Sequence, residues 1–269
     1  MKEESQARVA RISGAGHLPG GEYESIHISG SAKIDGDAVC QEDVHVSGAA
    51  TAKGDLAAKE IHVSGSLQVE GDVHAEAVRI SGSAHVAGGM EVCGEMRVSG
   101  SAHICKAARI QQLRAAGSLR LDEGVECERF ETHGGFAIQG LLNAEQVEIE
   151  VGGACQAGEI GGESVRIYRS ATVVNTFLSR LLNGARRAGR LSVETIEASQ
   201  IDLEATRAKV VRGRDVRSID PSCFRRSPPR RKSCAGATCA SARTAKSTAW
   251  NIPAPAKSRM VRSCAKAPR

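Results

Sequence analysis

Apolar residues in this chain fall on alternate positions over short stretches, and the stretches themselves recur. Between 78 and 110 the alternating pairs are Val78 and Ile80, Ala84 and Val86, and Met90 and Val92. Met96 and Val98, Ala102 and Ile104, and Ala108 and Ile110 then repeat the cycle. A further cycle gives Leu113 and Ala115, Leu119 and Leu121, and Val125 and Cys127. Alternation at period 2 is the signature of strands, because successive side chains leave opposite faces. Each cycle predicts three short strands with an inward pair apiece, separated by turns.

The cycle also has a spelled motif. Ile-His-Ile-Ser-Gly-Ser at 26–31 returns as Val-His-Val-Ser-Gly-Ala (44–49), Ile-His-Val-Ser-Gly-Ser (61–66), Val-Arg-Ile-Ser-Gly-Ser (78–83) and Met-Arg-Val-Ser-Gly-Ser (96–101). Weaker copies lie at 113–118, 130–135, 147–152 and 165–170. Gly14, Gly30, Gly48, Gly65, Gly82, Gly100, Gly117, Gly134 and Gly152 mark it at spacings of 16, 18, 17, 17, 18, 17, 17 and 18. A fixed period of this length predicts a solenoid. With three strands per 17–18-residue coil, the expected fold is an all-β, single-stranded parallel β-helix. The glycines are expected to serve its turns by adopting φ > 0. One coil buries too little to stand alone, so stability has to come from stacking. The two terminal coils then keep unpaired edges: uncapped, they invite a second copy of the chain to stack on them, and capped, they make a monomer.

Composition agrees with a narrow core. Only 3% of the residues are aromatic, against 41% hydrophobic overall and 29 glycines. No apolar run approaches the roughly 20 residues that span a bilayer, and no apolar stretch follows Met1-Lys2-Glu3-Glu4. A cytoplasmic location is expected. Nine cysteines without a Cys-x-x-Cys pair do not suggest a disulfide framework or a metal site, and Cys40 and Cys127 fall at inward positions. The net charge of +5 divides unevenly: residues 217–269 hold 13 Lys and Arg against Asp220, or +12, leaving −7 for 1–216.

The Ile/Val-x-Ile/Val-Ser-Gly-Ser coils from about 26 to 170 resemble the bactofilins, the polymer-forming cytoskeletal proteins of bacteria. Thr195 to Val216 (Thr-Ile-Glu-Ala-Ser-Gln-Ile-Asp-Leu-Glu-Ala-Thr-Arg-Ala-Lys-Val-Val-Arg-Gly-Arg-Asp-Val) is similar to the closing coils of the variety found in Gram-positive spore formers. The resemblance covers residues 9–223. It implies a right-handed β-helix that polymerises end to end without nucleotide. It also implies a scaffold for cell shape, envelope synthesis or motility machinery, often at the inner face of the membrane. Residues 1–8 read as a short tail. From Phe224 the text turns Arg-, Ser-, Ala- and Pro-rich with no alternation, so 224–269 is expected to be a basic, disordered tail. So abrupt a change suggests a shifted reading frame, which resequencing the locus tests. With Trp250 as its one tryptophan, the tail has no set of aromatics for base stacking, and no specific nucleic acid is expected.

Residues 172–190 interrupt the repeat. Val174, Phe177, Leu178, Leu181 and Leu182 lie on one face of a short helix, with Arg180, Arg186, Arg187 and Arg190 around it. Such a helix either packs on the rod or meets a membrane surface or partner protein. His27, His45 and His62 share an outward column continued by Arg79, Arg97 and Arg114, and His85 and His103 form a second pair. Parallel vectors one rung apart make solvated ladders more readily than tetrahedral metal sites. Asp35, Asp37, Asp55 and Asp72 read as turn residues, not as a convergent acid pair. No catalytic, cofactor-binding or metal residue and no small-molecule substrate is expected. The alternative is a left-handed hexapeptide-repeat acyltransferase, supported by the spacing of six from Ile80 to Ile110. The break of that register between Ala75 and Ile80 tells against it, as does the lack of a projecting loop bearing a histidine.

Overall fold

The computed structural model describes residues 8–169 and 189–218. Eighteen strands join in a single sheet in which every pairing is parallel. The sheet winds into a β-solenoid of about 11 turns. At roughly 4.8 Å per turn the rod is about 50 Å long. The described residues contain no helix.

The stack opens with β1 (Arg8–Ile12), β2 (Ala15–Ile28), β3 (Ser31–Cys40) and β4 (Asp43–Val46). Short strands β5 (Ala49–Ala52), β7 (Ser66–Val69), β9 (Ser83–Val86), β11 (Ser101–Ile104) and β13 (Ser118–Leu121) then alternate with longer ones. The longer ones are β6 (Leu56–Val63), β8 (Val73–Ile80), β10 (Met90–Val98), β12 (Ala108–Ala115) and β14 (Val125–Thr132). β15 (Gly135–Val151), β16 (Ala154–Arg169), β17 (Arg190–Leu203) and β18 (Thr206–Ser218) complete the stack.

The three inward pairs per coil are present, but the coil does not break into three separate strands. Val73 with Ala75 and Val78 with Ile80 lie on one strand, β8, and Ala84 with Val86 lie on β9. The corner at Glu76 and Ala77 leaves Glu76 out of the ladder to β6 but keeps the register on both sides of it. Later coils keep pairing through further corners, which is why β15 to β18 are 13–17 residues long.

Burial follows the alternation. Ile26, Val44, Val46, Ala52, Leu56, Met96, Val98, Ile110 and Leu113 are fully enclosed. Phe130, fully buried, meets Phe136 edge-on at 5.6 Å. Like stacks on like: Met96 pairs with Val78 below and Leu113 above, and Val98 with Ile80 and Ala115. The 18-residue coil between Gly82 and Gly100 takes up its extra residue as an irregularity between Val92 and Glu95, after which the inward register resumes.

The column of marking glycines departs from the turn expectation. Among the described glycines only Gly21 (φ 144°) and Gly36 (φ 99°) have positive φ. Gly30, Gly48, Gly65, Gly82, Gly100, Gly117 and Gly134 are glycines because of the rung beneath. A Cβ on any of them would sit 1.9–2.1 Å from the carbonyl oxygen of the preceding glycine in the column. Gly14, at the bottom, has nothing within 4 Å, and for Gly152 the nearest atom is His133 O at 3.4 Å. The last corner of the glycine column is one residue shorter than those below it. Leu203 and Thr206 are both buried, with Glu204 and Ala205 between them, and Ala205 takes φ 52° to close the tighter turn.

β17 stacks directly on β16, Ile160 facing Ile196 and Val165 facing Ile201, an offset of 36 residues where earlier rungs are offset by 15 to 19. The helix expected at Val174, Phe177, Leu178, Leu181 and Leu182 falls at 170–188, outside the described residues, as does the tail from 219 onward.

Candidate assembly surfaces and side-chain ladders

A solenoid offers two kinds of surface: flanks, where each column of outward side chains forms a ladder, and ends, where strands have one neighbour.

On one flank Arg11, His27, His45, His62, Arg79, Arg97 and Arg114 stack in register. The histidine rings are tilted to one another, with centroids 6.3 and 6.0 Å apart. Carboxylates pair with several members of the ladder, Glu60 and Glu95 from the adjoining column and Glu131 from the next rung of the ladder itself. Glu60 lies 3.0 Å from His62, Glu95 lies 3.0 Å from Arg97 and 3.2 Å from Arg114, and Glu131 lies 3.2 Å from Arg114. Further up, His133 is held between Glu150 (2.6 Å) and Glu131 (3.1 Å). The hydrogen bond that Glu150 accepts comes first among the influences that raise the His133 pKa above its ordinary value. These are exposed or half-buried pairs, worth little each.

The turn aspartates are more ordered than their scatter in the sequence suggests. Asp37 Oδ1 accepts the Asp55 backbone N–H at 2.9 Å, Asp55 Oδ1 accepts that of Asp72 at 2.8 Å, and Asp72 Oδ1 accepts that of Gly89 at 2.7 Å. The residue before each acceptor's partner has to be small: a Cβ on Gly54 or Gly71 would lie 2.3 Å from the carboxylate below. The signal was the Gly-Asp dipeptide at 36–37, 54–55 and 71–72, one rung apart. Asp35 belongs to a different column and pairs with Lys53 (3.1 Å) and His17 (3.4 Å). Lys53 first, then His17, holds its carboxyl below the usual range.

Cys40 and Cys127 are buried in the core, and Cys155, which sequence reading did not single out, joins them. Burial pushes the Cys40 and Cys127 thiols up to about 12. These are inert packing thiols. His85 and His103 behave differently from the first histidine ladder: their centroids are 4.8 Å apart, and Cys105 approaches them.

At the ends, β1 pairs only with β2 and β18 only with β17 among the described residues. The final rung places Val211 over Ile196 and Val216 over Ile201. Both face inward, yet Val216 is 41% exposed and Val211 half-buried because no described residue lies beyond them. At the other end Ile12 and Leu18 sit in inward columns and are likewise only half-buried. Outward side chains of β18 are mostly basic, and Lys209, Arg212 and Arg217 stack on Glu194, Glu197 and Asp202 of β17.

A uniform rod with charge-paired flanks and apolar, half-paired ends defines the class: a β-solenoid structural protein. Residues 11–104 match the bactofilin family model, described as polymer-forming cytoskeletal. The rungs above that segment continue the same columns through Ser218, and the family match and the solenoid fold together support a cytoskeletal scaffold. No curated protein and no solved structure matches the chain. No described helix is long and apolar enough to cross a membrane.

Proposed function

We propose that this scaffold assembles by end-to-end stacking of its solenoids without nucleotide. The observation that carries the proposal is the state of the terminal rungs. β1 and β18 each leave one row of backbone N–H and C=O groups without a strand partner among the described residues, beside inward side chains that only half lose their exposure. A second rod laid on such an end supplies hydrogen-bond partners and apolar cover together. No nucleotide enters the proposal, because the stacking surface is backbone and aliphatic side chain. The proposal gives no residue a catalytic role, and nothing in the geometry favours the acyltransferase alternative.

Pelleting in the ultracentrifuge tests the reading. The wild-type chain is expected to sediment without added nucleotide. A Val211→Arg, Val216→Arg double variant is expected to stay in the supernatant with an unchanged circular dichroism spectrum. A wild-type supernatant, or a double variant that pellets as well, contradicts the proposal.

Membrane or envelope attachment is a finer reading. It rests on the apolar face Val174, Phe177, Leu178, Leu181 and Leu182 and its flanking arginines, a pattern suited to anionic headgroups at the inner face of a membrane. Deleting 174–184 should then abolish co-sedimentation with anionic liposomes; unchanged co-sedimentation removes the reading.

A further inference from the structure

On one flank, midway up the rod, two neighbouring columns bring three potential metal ligands together, with a carboxylate from the next rung hydrogen-bonded to one of them. The first column holds His85, His103 and Arg120 in register. The second, two residues further along each rung, holds Ala87, Cys105 and Asp122, linked by Ala87 N–H to Val69 O, Cys105 N–H to Val86 O and Asp122 N–H to Ile104 O. Side chains two apart on a strand share a face. His103 and Cys105 therefore point the same way from one rung, with His85 a rung below and Asp122 a rung above.

The donor atoms converge. One ligand atom each from His85, His103 and Cys105 lies within 4.8 Å of the other two, and all three residues are half-buried. Cys105 Sγ is 3.9 Å from His103 Nε2. Asp122 Oδ2 lies 2.8 Å from the same nitrogen. The carboxylate is fixed from behind: its Oδ1 accepts hydrogen bonds from Arg120 Nε at 2.9 Å and Gln139 Nε2 at 3.1 Å, which leaves Oδ2 directed at the histidine. Below Cys105 the column carries only the methyl of Ala87, so the cluster has room on that side.

We propose that His85, His103 and Cys105 bind a borderline-soft transition-metal ion, zinc being the best fit, with Asp122 Oδ2 as the fourth ligand. Bond lengths of about 2.0–2.1 Å to nitrogen and 2.3 Å to sulfur put tetrahedral ligand atoms roughly 3.3–3.6 Å apart. From spacings of up to 4.8 Å the three ligand atoms have to draw in by up to about 1.5 Å through side-chain rotation, and Asp122 Oδ2 has to swing off its hydrogen bond to His103 to serve as the fourth ligand. On binding, the Cys105 S–H gives its proton to water and the sulfur coordinates as thiolate, while the histidines coordinate neutral. The mixed sulfur, nitrogen and oxygen set suits zinc or cobalt over calcium or magnesium, which take oxygen ligands. The ion would clip three successive turns together. Parallel column geometry led sequence reasoning to set metal binding aside. The missed signal was His103-x-Cys105, which adds a ligand from the neighbouring column to the stacked pair.

The test is titration of the reduced full-length chain with Co²⁺, followed by its visible d–d bands and thiolate charge-transfer absorption. Wild type is expected to take up one more equivalent of tetrahedral, thiolate-ligated Co²⁺ than Cys105→Ser. His85→Ala and His103→Ala are expected to lose that same equivalent, while Zn²⁺ displaces it from wild type. Comparing variants with wild type separates this site from the other cysteines of the chain. Identical spectra and stoichiometry in wild type and all three variants would overturn the proposal. Should a variant fail to fold, mass-spectrometric mapping of iodoacetamide labelling on the wild-type chain decides. Zn²⁺ is expected to cut labelling of Cys105 at least tenfold, and labelling unchanged by Zn²⁺ would overturn the site.

Discussion

Replacing Gly65 with Ala should damage the rod far more than one methyl group in a turn would suggest. Its Cβ would stand 1.9 Å from Gly48 O and 2.4 Å from Ser47 O, both backbone atoms with no rotamer to yield. To reach even 3.0 Å from Gly48 O, the two rungs have to part locally by about 1.1 Å. Three hydrogen bonds cross that gap: Ser64 N–H to Val46 O at 2.8 Å, Gly65 N–H to Val46 O at 3.1 Å and Ser66 N–H to Gly48 O at 2.8 Å. Lengthened by that amount, all three leave hydrogen-bonding range. At about 0.5–1.5 kcal/mol each, their loss is about 2–4 kcal/mol. Gly14→Ala is the matched control, since its added Cβ meets nothing within 4 Å. Urea unfolding followed by circular dichroism is the assay, with variants compared by midpoint because repeat arrays need not unfold in two states. A Gly65→Ala midpoint indistinguishable from that of Gly14→Ala would refute the stacking explanation of the glycine column.

Other consequences can be measured on the same protein. Phe130→Ala opens a cavity where a fully buried ring meets Phe136, and should cost about 3–5 kcal/mol in urea unfolding; a loss below about 1 kcal/mol would count against the packing described. His133 should titrate above 6.5 by NMR, and Glu150→Gln should lower its pKa, because that hydrogen bond is the first cause of the rise. Since the folded pKa is the higher one, the pair's stabilisation is complete below about pH 6.5 and fades as pH climbs through the folded value. Its size stays under about 1 kcal/mol at this half-exposed site. A His133 pKa unmoved by Glu150→Gln would dismiss the pair. Cys40 and Cys127, with thiols at about 12, should resist thiol reagents at neutral pH in the native protein. Prompt modification of either would show that the core opens.

Much of this fold was legible because a solenoid writes its geometry into a linear repeat. Alternation placed Val78, Ile80, Ala84, Val86, Met90 and Val92 inside, and each is at most 5% exposed. What the repeat could not convey was contact along the rod axis, since each rung rests on residues a whole coil away in the sequence. That blind spot put the glycines down to turn conformation instead of to the carbonyl beneath each of them. It also hid the Asp37, Asp55 and Asp72 ladder, whose hydrogen bonds run from rung to rung. The convergence of His85, His103 and Cys105 escaped for a related reason, because it joins two columns and not one. The division of the coil into three strands failed on a local point: the corner at Glu76 and Ala77 drops Glu76 from the parallel ladder but does not shift its register.

End-to-end assembly is the central claim, and negative-stain electron microscopy tests it most directly. Purified full-length chain and a version ending at Ser218 would be compared without nucleotide. The account predicts unbranched filaments a few nanometres wide from at least one of them, the shorter version showing whether the basic residues beyond 218 obstruct the last rung. Uniform single particles from both, at concentrations where the rods are folded, would contradict it.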